Sequence, residues 1–123
     1  MILQNTSDLI AQVTHQQLPS GIPVDVAQLV NGSALVISAD ALALYRNADG
    51  VGDALGNGLV RSIDLPLTLT QENDAFLQEH KAGYVGLSGG VVLLITLNDI
   101  QVFSSKEDAL RNRNELIRMS LAI

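Results

Sequence analysis

Residues 82–105 read AGYVGLSGGVVLLITLNDIQVFSS, and their reading decides the fold. Gly83, Gly86, Gly89 and Gly90 precede an apolar block. A phosphate cradle needs such glycines to open a helix, so that backbone N–H groups point at the anion. These glycines open onto VVLLITL instead, β-branched and aliphatic, with turn residues on both sides, which is the composition of a buried strand. No Lys-Ser or Lys-Thr pair comes after the glycines either. The run is therefore expected to be a hairpin turn leading into the central strand of a sheet. Asn98-Asp99 is expected to end that strand, and IQVFSS to add a short one. Ser104 and Ser105, with Glu107 and Asp108 after them, have the pattern of a capping box, which places a final helix over about 106–121.

Working outward, residues 71–81 (QENDAFLQEHK) read as a helix anchored by Phe76 and Leu77. Residues 59–70 read as extended, with Pro66 limiting them to an edge or a bend. Four glycines make 48–58 a loop. Residues 24–30, 33–38 and 41–47 read as three strands, the first pair joined by Asn31-Gly32, a strong signal for a type I′ turn, and the second by Ala39-Asp40. A helix over 24–30 is also compatible with the residues. At the start, Leu9, Ile10 and Val13 fall on one face at helical spacing after the potential caps Thr6 and Ser7, and Pro19 to Pro23 stop the helix. The expectation is one α+β domain spanning 1–123: helix, three-stranded antiparallel meander, helix, two- or three-stranded antiparallel hairpin or meander, C-terminal helix. DVAQLVNGSALVIS (25–38) also echoes GYVGLSGGVVLLIT (83–96), with Leu29, Gly32, Leu35 and Ile37 matching Leu87, Gly90, Leu93 and Ile95. An old duplication gives such a match, and so does a generic strand–turn–strand pattern.

Composition narrows the chemistry. The chain has no cysteine, which excludes disulfides, thiolate metal sites and cysteine catalysis. Aromatics make up only 3%, so the core must be aliphatic. A net charge of -6 makes nucleic acid or an anionic membrane an unsuitable partner. No basic segment precedes an apolar run, and no apolar run approaches the ~20 residues of a membrane span, so cytoplasmic residence is the default expectation.

No constellation supports catalysis. Gly50-Val51-Gly52-Asp53-Ala54-Leu55-Gly56 approximates a dinucleotide fingerprint, but its spacing is one residue too long, and Gly56 to Gly58 break the helix that must come next. Asp49, Asp53 and Asn57 lack the order of a calcium loop, and a solvated acidic loop is the simpler reading. His15 and His80 do not have metal-ligand spacing, and no GxSxG elbow exists. Arg111, Arg113 and Arg118 fit either a solvated face of the last helix or an acidic partner. No catalytic residue, metal or cofactor is expected.

The element order resembles the type III secretion chaperones of the Tir-chaperone class. The resemblance is carried by 71–123, where QENDAFLQEHK, GYVGLSGGVVLLITL and KEDALRNRNELIRMSLAI match the order of the family's helix, strand pair and closing helix. LVNGSALVISADALALYRN resembles its first meander more loosely, and loop 48–58 has no counterpart. The family is small, acidic, cytoplasmic and usually dimeric. The resemblance implies a non-enzymatic module, a homodimer, that binds an extended segment of a protein or peptide partner on apolar patches. Leu9, Ile10, Val13, Val24 and Val26 would then offer the groove, and Phe76 and Leu77 a dimer contact. Ordinary core is the competing reading for all seven. The alternatives are a small-ligand-binding or regulatory domain with an aliphatic pocket, and, last, an enzyme using Asp49, Asp53 or His80.

Overall fold

The computed structural model describes residues 9–53, 55–65, 78–79, 84–87 and 90–121. These form two five-stranded antiparallel sheets. The first contains β1 (Ile10–Gln17), β2 (Pro23–Leu29), β3 (Ala34–Ile37), β4 (Ala41–Tyr45) and β5 (Leu59–Asp64). The second contains β6 (Gln78–Glu79), β7 (Tyr84–Gly86), β8 (Val92–Ile95), β9 (Asp99–Phe103) and β10 (Ile117–Ser120). Within each sheet the strands lie side by side in chain order. A 3-10 turn at Ala48–Gly50 comes after β4, and a five-residue helix, α1 (Lys106–Leu110), after β9. No helix among the described residues is long and apolar enough to cross a membrane.

This corrects the α+β expectation, and the reasons are local. The stretch expected to be the first helix is β1. Leu9, Ile10 and Val13 suit a helix face, but Ile10, Val13 and Thr14 are β-branched, and the residues from Pro19 to Pro23 do more than stop a helix. They turn the chain back. Gly21 takes φ 92 and donates its N–H to the Leu18 carbonyl at 2.7 Å, and the Leu18 N–H donates to the Ile22 carbonyl at 2.9 Å. The expected last helix survives only as α1. Ser105 caps it as anticipated, its hydroxyl accepting from the Asp108 N–H at 3.2 Å. Asn112 and Asn114 then adopt φ 50 and 56, a left-handed conformation that asparagine tolerates and a helix does not. Beyond them Ile117 and Met119 alternate with the exposed Arg118 and Ser120, a period of two that makes β10 a strand. Most of the expected helix over 71–81 lies outside the described residues; Gln78–Glu79 are strand β6.

The opening stretch does form a hairpin. VVLLITL contributes β8, the central strand of its sheet. Gly90 takes φ 90 and donates to the Leu87 carbonyl, while the Leu87 N–H donates to the Val91 carbonyl at 2.8 Å. The Asn31-Gly32 turn is built the same way. Gly32 alone has positive φ, so this is a three-residue loop ending in a left-handed glycine and not the type I′ turn expected.

The echo between 25–38 and 83–96 extends over β2–β4 and β7–β9 at a constant spacing of 58 residues, that between Leu35 and Leu93. The Ser38–Ala41 turn has its hydroxyl accepting from the Ala41 N–H at 3.1 Å, and Thr96 does the same for Asp99 at 3.0 Å. Between the sheets, Ala27, Leu29, Leu35, Ile37, Leu42 and Leu44 share one buried cluster with Val85, Leu87, Leu93, Ile95, Ile100 and Val102. Each pair is related by that spacing. On the far face of the first sheet Val26, Ala34, Val36, Tyr45 and Val51 form a second cluster. Tyr84, Val92, Leu94, Phe103 and Ala109 form its counterpart on the second sheet. A generic strand–turn–strand pattern does not account for matched clusters on both faces; the described chain is two structural repeats packed across an aliphatic core. Burial of each Leu or Ile there contributes about 1.5–3 kcal/mol.

Candidate functional site: the free edge of the first sheet

The residues expected to form a groove are not brought together. Leu9 and Ile10 are buried in the core between the sheets. Val24 and Val26 are buried on the opposite face of the first sheet, in a cluster with Tyr45 and Val51. Only Val13 is exposed, at 38%. Phe76 and Leu77 lie outside the described residues, as does His80.

What sequence reasoning missed is the edge that Val13 occupies. β1 is the outermost strand of its sheet, and among the described residues nothing pairs with its outer side. The register against β2 fixes which main-chain groups point that way. Leu18 bonds to Ile22, so the alternate pairs Gln16–Val24, Thr14–Val26 and Gln12–Gln28 are the hydrogen-bonded ones. Gln17–Pro23, His15–Asp25 and Val13–Ala27 are not, which suits Pro23, since it has no N–H to offer. The N–H and C=O groups of Val13, His15 and Gln17 therefore face outward.

Edge strands are usually blunted by charge, proline, a bulge or shortness. β1 has a bulge at its start, between Ile10 and Gln12. From there to Gln17 it is regular, and it contains no Asp, Glu, Lys or Arg. The other long edge, β5, carries Arg61 and Asp64. β10 has four residues, and its Arg118 is paired with Glu115 and Asp99. β1, at eight residues, is the longest and least protected edge among the described residues. It is held in place by His15, whose Nδ1 lies 2.5 Å from a carboxylate oxygen of Asp25 on β2. The His15 side chain is 69% exposed and that of Asp25 only 4%, so an exposed edge residue is tied to a buried anchor. The β-branched Ile10, Val13 and Thr14 ahead of a glycine turn are the signal that would have identified the strand.

The glycine-rich loop after β4 lines two shallow cavities, of about 250 and 210 Å³, that share Asp53. Leu18, Tyr45 and Val51 make one wall of the second apolar. The loop satisfies its own polar groups. Asp53 accepts from the Leu55 N–H at 2.9 Å and from the Asn57 amide at 2.5 Å, and Asn47 accepts from the Asp49 N–H at 3.0 Å. Gly50 is required here, because a Cβ would collide with the carbonyl of Asn57. No group of three or more acidic, histidine or cysteine side chains among the described residues is arranged to hold a metal ion.

In the second sheet, burial pushes the Tyr84 hydroxyl pKa up. The Arg113 guanidinium, donating to Asp108 at 3.1 Å, holds that carboxyl below the usual carboxylate range. Asp108 lies on α1 and Arg113 just beyond it, far from β1 in sequence, and neither adds to the edge site.

In comparisons with known proteins, the chain matches no family model, no curated protein and no solved structure.

Proposed function

We propose that this chain is a non-catalytic protein-binding module, and that it takes an extended segment of a protein partner as an added strand along β1. The observation that carries this reading is the outward-facing set of main-chain donors and acceptors at Val13, His15 and Gln17 on an edge without Asp, Glu, Lys or Arg. Strand addition draws affinity from such main-chain bonds and specificity from alternate side chains. The acidic remainder of the chain keeps a protein with an open edge soluble. The test is differential capture. Val13→Pro removes an outward N–H and leaves the β1–β2 bonds in place, so proteins retained by the wild type through this edge should be lost. A variant that retains the same proteins in the same amounts removes the reading.

A second reading, small-ligand binding, is favoured by the cavity between the β1–β2 turn and the loop after β4, where Tyr45 and Val51 offer an apolar wall beside Asp53. Its test is a thermal-shift screen with small molecules, in which stabilisation by a ligand should be lost in Tyr45→Ala.

A further inference from the structure

We infer that the strand added to β1 is the β1 of a second copy, so that two first sheets join into one continuous sheet about a two-fold axis. This rests on the strand-acceptor reading and names its occupant. A closed pair of identical chains is isologous, and identical strands related by such an axis run antiparallel. In an antiparallel pair, residues with outward main-chain groups must face one another. On β1 those residues are Val13, His15 and Gln17. An axis at Val13 would drive the pairing into the bulge between Ile10 and Gln12. Axes at Thr14 and at His15 both keep it within the regular stretch, and both close main-chain bonds at Val13 and at His15 in each copy.

Three observations favour a second copy over a foreign segment. The strand is already extended and held by β2, so pairing two of them orders no chain, whereas a disordered peptide must lose about 1–2 kcal/mol of backbone entropy per residue. β1 contains no Asp, Glu, Lys or Arg in a chain of net charge -6, so it is a stretch on which two acidic copies can approach without setting carboxylates directly against one another. Its exposed side chains are also self-complementary. Gln12, Thr14 and Gln16 alternate on one face, and amide and hydroxyl groups are both donors and acceptors, so the row can bond to its own copy.

The experiment is sedimentation equilibrium of the full chain from about 1 μM to 1 mM, the range in which weak to moderate association is read. The wild type should pass from 13.1 kDa to twice that mass. Val13→Pro removes an outward N–H from each copy, two main-chain bonds per dimer, and should raise the dissociation constant at least about tenfold. Because proline is tolerated where an edge N–H faces solvent, its circular dichroism should match the wild type. Thr14→Lys, which leaves the backbone untouched, sets an ammonium group of each copy at or beside the axis and should weaken the dimer most at low salt. A wild type that stays monomeric throughout overturns the inference, as does a dimer that both variants leave unchanged. The two failures are distinguishable: a monomer whose partner capture is still lost in Val13→Pro sinks the second copy and leaves the strand-acceptor reading standing.

Discussion

Leu35 and Leu93 occupy equivalent places in the two repeats, are fully buried, and belong to the same cluster between the sheets. Truncating either to alanine removes the same atoms from the same kind of site. Leu→Ala in a packed core costs about 2.7–5 kcal/mol, the spread reflecting how far the site collapses. With sheets on both sides limiting collapse, about 3 kcal/mol is expected for each. A chain of 123 residues has a total stability of about 6–18 kcal/mol. Each substitution should therefore lower the melting temperature by roughly 10–20 °C and leave a chain that still folds. The assay is urea denaturation monitored by circular dichroism, with Leu55→Ala as control. Leu55 is 84% exposed, and its truncation should change stability by less than about 0.5 kcal/mol. The informative result is the pair. If the sheets share one core, both variants unfold in a single transition with similar losses. Two transitions, with Leu35→Ala moving one and Leu93→Ala the other, would refute the shared core. A loss under about 1 kcal/mol at either position would refute the equivalence.

Local geometry sets three further outcomes. Gly50→Ala should destabilise by more than about 2 kcal/mol, because its Cβ meets the Asn57 carbonyl, whereas Gly52→Ala, with open space around it, should be neutral; thermal melts compare them. His15→Ala deprives the buried Asp25 of one partner and should cost about 1–3 kcal/mol, read by urea titration. The Asp108 carboxyl, lowered from 3.8 by the Arg113 hydrogen bond, binds fewer protons folded than unfolded in that range. Its contribution is present above pH 3.8 and is lost as pH falls through the lowered value, so the acid limb of a stability–pH curve should flatten in Asp108→Asn.

The strands from 34 to 45 and from 84 to 103 were legible in the sequence, because runs such as ALVI and VLLI are aliphatic, short and closed by glycine or by Asp and Asn, whereas residues 24–30 also suited a helix. The two ends were not. β1 is solvated along most of its length, so its residues carry no buried alternation, and three apolar side chains at its start imitate a helix face. β10 lies beyond a true N-cap, and the helix that cap starts was extended past two asparagines that stop it. The same exposure hid the candidate site. A strand edge is made of main-chain groups, which every residue carries, so no side-chain motif marks it. The five apolar residues of the expected groove follow from the chaperone resemblance and its first helix, whereas alternation across a sheet sends Val24 and Val26 to the opposite face from Ile10.

The chain-order arrangement of each sheet bears on how the molecule is assembled. Every ladder joins strands that are neighbours in sequence, from β1–β2 through β4–β5 and from β6–β7 through β9–β10. Most of these ladders close short loops, and the closure of long ones is what makes many β proteins slow to fold. Here each meander can zip from its own hairpins, which form in about 1–10 μs. Among the described residues, the contacts most distant in sequence are those between the two sheets, where residues such as Leu35 and Leu93 share one interior.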